Sequence, residues 1–304
     1  MRGAAALPAV ALAALSVIWG YNWVVMKVAL THTGPVTLAA MRFALAPICL
    51  VPLMLRTGEP LLPSRAQLTP VIVLGVMLAV NFAGTFVALR MSGTGKTAVL
   101  VYTMPIWVLL FARITLKERL NRLKLAAVFF ALVGLFVLME PWRMHGAIVA
   151  NLIAVAAGMS WGASVVYVKH LQRHGAMSMV ALSVWQMAVA AVVLSLGAVT
   201  IERGQSLVWS AGFAVALIYT SVVATGIAWL LFYYALRRMS AGMTGLGTLA
   251  TPVIGVACAW LQLGEKPTPL EAVGMSLIGI GLAILAWSGL QATRQSSSAG
   301  VETR

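Results

Sequence analysis

The two halves of this 304-residue chain repeat each other. Trp19-Gly20-x-Asn22-x-x-x-x-Lys27 returns 142 residues later as Trp161-Gly162-x-Ser164-x-x-x-x-Lys169. At an offset of 147, Gly95, Pro105 and Glu118 return as Gly242, Pro252 and Glu265. Ala88-Leu89-Arg90 likewise returns as Ala235-Leu236-Arg237, and Gly134-Leu135 as Gly281-Leu282. Offsets that drift so little mark a duplication. Crossing ~30 Å of hydrocarbon takes ~20 apolar residues. Ten such stretches fall near 8–31, 35–56, 68–90, 95–115, 122–140, 146–170, 177–201, 209–236, 241–262 and 268–290. Five spans per copy is an odd number, so the two copies lie upside down relative to each other. The expected fold is an all-α membrane protein of ten transmembrane helices, arranged as two inverted five-helix repeats over 1–143 and 144–290. A disordered, Ser-rich cytoplasmic tail is expected over 291–304. Inverted repeats are the architecture of secondary transporters, whose substrate site lies near the bilayer midplane.

Composition points the same way. Hydrophobic residues make up 61% and charged residues 9%, where soluble domains carry about a quarter charged. The first span is too long an apolar run for a signal peptide, and it carries the repeat motif. The net charge of +14 reflects topology rather than nucleic acid. Arg2, Arg56, Arg65, Arg113, Lys117, Arg119, Arg122, Lys124, Lys169, Arg173, Arg237, Arg238, Arg294 and Arg304 fall on one side of the ten spans. Arg90, Lys96, Arg143, Arg203 and Lys266 fall on the other. That is the positive-inside bias, with both termini cytoplasmic and lipid headgroups as partners. Trp142, Trp209 and Trp287 suit the interfacial aromatic belt. Cys49 and Cys258 are read as small packing residues. Gly93-Thr94-Gly95-Lys96-Thr97 imitates a phosphate-binding loop, but Arg90 stands where its first glycine belongs and no strand precedes it.

The chain has no aspartate, and its seven glutamates all fall in loops, tails or span ends. A proton- or sodium-coupled carrier usually places a carboxylate within the membrane, so coupling to an ion gradient is not expected. No paired acids, metal cluster or nucleophile–base pair stands out, so neither enzyme chemistry nor a cofactor is expected. Two cations lie within spans. Lys27 is about 4 residues, roughly 6 Å, from the outer end of the first, and Arg42 roughly 10 Å into the second. Each either snorkels to the headgroups or holds an anionic group of a substrate.

Pro105 and Pro252 are repeat-related and sit mid-span, where each removes a backbone donor and frees the carbonyl four residues earlier. They are read as a pair of hinges beside a central path. Polar residues recur at helical spacing on neighbouring spans: Asn81 and Thr85 on the third, Tyr102 on the fourth, Ser221 and Thr225 with Trp229 on the eighth, Thr244 and Thr248 on the ninth. Taken singly, a Ser or Thr here bonds its own helix carbonyl; taken together, the stripes suggest one cavity. Trp19, Asn22, Trp23, Trp161, Ser164, Trp185, Arg42 and its approximate repeat mate Gln186 are further candidate lining residues.

Ten spans, a Trp-Gly near the start of both repeats, and a mid-span proline followed by Leu116-Lys117-Glu118 or Leu263-Gly264-Glu265 resemble the drug/metabolite transporter superfamily, EamA type. The chain is most similar to the bacterial amino-acid exporter branch of that family, including exporters of aromatic amino acids. The resemblance implies a basket-like bundle in the bacterial inner membrane. The third, fourth, eighth and ninth spans surround the cavity, and the fifth and tenth are peripheral. The expected function is export of small metabolites, chiefly amino acids including aromatic and other apolar ones, by alternating access. The alternatives are export of lipophilic drugs or nucleotide precursors and, from other classes, an intramembrane enzyme or a receptor. The resemblance leaves oligomeric state open; a monomer suffices.

Overall fold

The computed structural model describes residues 2–58, 62–115, 122–139, 147–173, 178–238 and 250–299. Among these residues every regular element is helical and no strand occurs. The first half contains α1 (Arg2–Ala29), α2 (Pro35–Leu45), α3 (Pro47–Arg56), α4 (Arg65–Met91), α5 (Thr94–Val101), α6 (Met104–Thr115) and α7 (Arg122–Met139). The second contains α8 (Ala147–Arg173), α9 (Met179–Ile201), α10 (Ala211–Ile218), a π-helical segment Tyr219–Ile227, α11 (Ala228–Arg238), α12 (Ala250–Leu263) and α13 (Pro269–Ala299).

Seven stretches are long and apolar enough to cross a membrane: Val10–Ala29, Pro35–Arg56, Arg65–Met91, Thr94–Thr115, Ile148–Val168, Val180–Ile201 and Ala211–Phe232. Three more apolar helices, Leu125–Val137, Ala250–Leu263 and Pro269–Ile284, are shorter. The chain is thus a helical, multi-pass membrane protein. Its outward faces are apolar, with Ile114, Ile201 and Leu261 each more than two-thirds exposed, as a lipid-facing surface requires.

Prolines break the spans where sequence predicts continuous helix. Pro47 lacks an N–H, and the second span divides there into α2 and α3. The fourth span breaks at Tyr102–Thr103, so Pro105 lies in the first turn of α6 rather than mid-helix. Pro252 lies in α12, whose first described residue is Ala250. A proline is tolerated in a first turn because its missing donor would have no helical acceptor there. Within the expected tail, α13 runs on through Gln291 to Ala299. No proline or glycine interrupts that stretch before Gly300, and its Ala, Gln and Arg residues are good helix formers.

Small residues at repeat-related positions set the close helix contacts. A Cβ on Gly20 of α1 would lie 2.5 Å from Ile254 Cγ2 of α12. A Cβ on Gly162 of α8 would lie 2.8 Å from Trp107 Cβ of α6. At the periphery α7 and α13 pack on each other. There a Cβ on Gly134 would meet the Gly274 carbonyl oxygen at 2.8 Å, and one on Gly281 the Ala127 carbonyl oxygen at 2.7 Å. Between hydrocarbon-facing helices, such backbone approach supplies the van der Waals contact that the hydrophobic effect does not.

Charged side chains satisfy helix ends. Gly264 takes φ +69° and ends α12. The turn delivers Glu265 to the start of α5, where the Thr94 N–H and hydroxyl both donate to its carboxylate. Glu202 accepts from the N–H groups of Val36 and Thr37 at 2.8 and 2.9 Å, capping α2. A carboxylate at a helix N-terminus meets orphan donors and the positive end of the helix dipole. Lys27 serves the opposite end: its Nζ donates to the carbonyls of Leu89 and Ser92 at 2.6 and 2.8 Å, closing α4. It is thus committed to a helix end and does not line the cavity.

Candidate functional site

A cavity of about 80 Å³ lies between α1, α2, α4, the α5–α6 break, α8 and the π segment. A single water needs ~10–15 Å³ on the same measure, so the space suits a small solute. One face of α1 supplies Trp19, Asn22, Trp23 and Met26, and one face of α4 supplies Leu78, Asn81, Phe82 and Thr85. Both sets follow the i, i+3, i+4, i+7 spacing of a helical stripe.

The walls are aromatic. Tyr102, placed at the cavity by the helix break, makes edge contacts with Trp23 and Trp161 at centroid distances of 6.3 and 5.6 Å. Trp19 and Trp229 meet edge-on at 6.4 Å. Such T-shaped pairs join rings by the positive edge of one and the negative face of the other.

Arg42 is 4% exposed and turned inward. Its guanidinium lies 4.7 Å above the Phe82 ring, within cation–π reach. Nε donates to Thr225 Oγ1 at 2.8 Å, and Nη1 sits 3.2 Å from Met26 Sδ. Snorkelling is thereby ruled out for this side chain. Asn81 Nδ2 donates to the Ala157 carbonyl at 2.7 Å, tying α4 to α8. Thr85 Oγ1, on the lining, is buried without a hydrogen-bond partner.

The π segment holds this wall together. Trp19 Nε1 donates to the Ala224 carbonyl at 2.9 Å, Thr220 Oγ1 donates to Asn22 Oδ1 at 2.8 Å, and Arg42 binds Thr225. Thr225 Oγ1 in turn donates 2.8 Å to the Thr220 carbonyl five residues back. Three cavity side chains from α1 and α2 thus dock on nine residues of one element. The wider π turn aims backbone and hydroxyl groups where an α-helix would bond them to itself.

Of the residues singled out from sequence, Trp19, Asn22, Arg42, Asn81, Thr85, Tyr102, Trp161 and Trp229 line the cavity, as does Trp23. Thr225 reaches it through Arg42. Ser164, Trp185, Gln186 and Ser221 do not line it. Ser164 Oγ turns back to the Trp161 carbonyl at 2.7 Å. Trp185 packs with Val71, Leu74 and Leu182 between α4 and α9, and Gln186 lies on the same helix where its backbone passes close to Gly75. Ser221 is fully buried in the π segment. Thr244, Thr248 and Trp142 lie outside the described residues. Met26, Leu78, Phe82, Val101 and Ala224 line the cavity and were not anticipated. Met26, Leu78 and Phe82 continue the stripes of Asn22 and Asn81, so the signal was present; Ala224 contributes through the π turn, which carries no sequence mark.

Known proteins agree with this architecture. A solved crystal structure superposes with a TM-score of 0.62 at 21% identity, covering 92% of this chain and 97% of its own. An uncharacterized transporter of Bacillus subtilis, YoaV, is 25% identical over 272 residues, 88% of this chain and 92% of its own length. A probable amino-acid metabolite efflux pump of Salmonella typhimurium is 27% identical over 280 residues, 88% and 91% of the two chains. The Escherichia coli protein of the same description is 26% identical over the same length. These relatives are named as transporters, not enzymes. The EamA-like transporter family matches residues 7–140 and 148–287, nearly the whole of both halves, and the chain belongs to that family of transporters.

Proposed function

We propose that this chain exports small metabolites, amino acids above all and aromatic and apolar ones among them, by alternating access through the cavity at Tyr102 and Arg42. The observation that carries the reading is a cavity whose described lining has aromatic walls, one fixed cation and no carboxylate, set among helices of membrane-crossing character. Aromatic walls accept a varied apolar body, and a few fixed polar groups orient it. Relatives named as probable amino-acid metabolite efflux pumps support the substrate class.

The transport cycle we infer uses two inverted five-helix repeats, 1–143 and 144–290, in the bacterial inner membrane with both termini cytoplasmic. Reciprocal packing supports the repeat: α1 packs on α12 and α11, while the corresponding α8 packs on α6 and α4. The Tyr102–Thr103 break before Pro105 and the repeat-related Pro252 are the bending points of the two gates. Lipids and the solute are the partners; a monomer suffices.

The test is flux in liposomes holding the purified chain, with a panel of labelled amino acids. Phenylalanine, tryptophan and leucine should move down their own gradients with no pH or sodium gradient imposed, because no described glutamate reaches the cavity to carry a coupling ion. Absence of flux for every amino acid would overturn the substrate class. Concentrative uptake driven by an imposed proton gradient would overturn the uncoupled mechanism.

A further inference from the structure

Among the described residues, no counter-ion neutralises the charge that the cavity holds at Arg42. Every described partner of Arg42 is uncharged: the Thr225 hydroxyl, the Met26 thioether and the Phe82 and Phe43 rings. The described glutamates near helix ends are committed elsewhere: Glu202 to α2, Glu265 to α5, and Glu271 to Lys96 at 3.2 Å. The chain has no aspartate, and residues 239–249 contain no glutamate either. A guanidinium does not shed its charge by losing a proton. A buried charge without a counter-ion is costly, and its cost falls when an opposite charge with good hydrogen-bond geometry arrives. Aromatic walls lower the local dielectric and strengthen that attraction.

The described lining of the cavity carries no anion. An ammonium group would find the faces of the aromatic rings and neutral oxygens, with the Arg42 cation nearby to repel it and no carboxylate to pair with. A carboxylate would find a planar donor already steered by Thr225, with the buried, unpartnered Thr85 hydroxyl on the same lining. Carboxylate and guanidinium match in geometry as well as in charge.

We propose that Arg42 recognises the carboxylate of the substrate, and that the cavity selects organic monocarboxylates with an aromatic or apolar body whether or not they carry an α-amino group. Deaminated relatives of amino acids, such as aryl-alkanoic and 2-oxo acids, are then substrates, while amines of the same shape are excluded. This inference rests on the reading of the cavity as the transport site and adds the charge of what enters it.

Three ligands of one shape test it: L-phenylalanine, 3-phenylpropanoate and 2-phenylethylamine. Binding to the purified full chain in detergent micelles is measured by titration calorimetry in chloride-free buffer, then repeated with chloride added. The expected result is binding of both carboxylates at least about tenfold tighter than of the amine, the scale of a charged hydrogen bond. Arg42→Gln should erase that preference and Arg42→Lys should keep most of it. If Arg42→Gln does not fold, the ranking in the unaltered protein decides alone. Amine binding as tight as acid binding overturns the inference and leaves the transport reading standing. Binding of 3-phenylpropanoate without phenylalanine upholds the inference and overturns the amino-acid reading. Binding of none of the three overturns both. Displacement of both acids by millimolar chloride would make Arg42 a general anion site and overturn selection of carboxylates.

Discussion

Gly162→Ala should loosen the contact between α6 and α8, and the structure provides its own control. The new methyl would lie 2.8 Å from Trp107 Cβ, 3.1 Å from the Val108 nitrogen and 3.2 Å from the Met104 carbonyl oxygen. None of these atoms can be moved by rotating a side chain, so the two helices must part. Overpacking of this kind costs about 1–3 kcal/mol. Alanine also raises intrinsic helix propensity by up to about 1 kcal/mol, which would blur a single measurement. Gly279 in α13 removes that ambiguity, because a Cβ there meets nothing within 4 Å. Gly279→Ala receives the propensity gain without the clash. The quantity to read is therefore the difference between the two variants in thermal unfolding in detergent. It should be roughly 2–6 °C in favour of Gly279→Ala, taking the low end of the usual shift per kcal/mol for a chain of this size. Trp161 precedes Gly162 on the cavity wall, so flux should fall in the Gly162 variant as well. Equal melting temperatures would refute the claim that this glycine exists to admit α6, and would return the repeated Trp-Gly pair to an unexplained coincidence.

Thr225→Val keeps the shape of the side chain but removes the acceptor for Arg42 Nε; leaving that buried donor unpaired should cost about 1–3 kcal/mol, read as weakened carboxylate binding and a lower unfolding temperature, and unchanged values for both would count against the π segment as the support for Arg42. Glu265→Gln keeps an acceptor for Thr94 but removes the charge at the start of α5, so thermal stability should fall by about 0.3–2 kcal/mol, while no change would show that the Leu-Gly-Glu turn acts through backbone geometry alone. Pro105→Ala supplies a donor next to the Tyr102–Thr103 break and should slow flux with little loss of folded protein; full flux would reduce the proline to a packing residue. Tags at the two termini should both be cytoplasmic, with a tag between Trp142 and Gly146 on the other face, and termini on opposite faces would exclude the ten-span arrangement.

What the sequence made legible follows from which physical signals are local. Span-length apolar runs are local, and each expected stretch contains helix in the structure. The stripes on α1 and α4 are nearly local, since helical spacing alone groups Trp19 with Asn22 and Trp23, and Asn81 with Thr85. Whether a polar residue faces the cavity or a neighbouring helix is not local. Trp185 and Gln186 are as conspicuous in the sequence as Trp161 and Arg42, yet they lie on the side of α9 that meets α4 at Val71 to Gly75. The charged partners were the least legible. Lys27 is engaged by carbonyls 62 and 65 residues away, and Glu202 by amides 166 and 165 residues away. Backbone donors and acceptors leave no trace in composition. The repeat did reveal which glycines matter, because Gly20 with Gly162, and Gly134 with Gly281, admit backbone in corresponding places.

The two copies nevertheless differ where the cavity is made. The third span of the first copy, α4, is α-helical throughout. Its counterpart in the second copy divides into α10, the π segment and α11. A π turn is less favourable than an α turn and persists where contacts compensate. Here they do: Trp19, Asn22 and Arg42 each find a partner on it, at about 0.5–1.5 kcal/mol for a neutral hydrogen bond and more for the charged one. The described cavity draws most of its side chains from the first copy and much of their support from the second. Duplication alone would have produced two equivalent half-sites. A single cation, steered by a hydroxyl that the π turn exposes, breaks that equivalence and gives the cavity a direction in which a polar molecule can be held. In the proposed cycle the repeat would serve movement, through glycine contacts in matching places. In the proposed function the departure from the repeat would serve recognition, because a solute with one charged end needs one site rather than two.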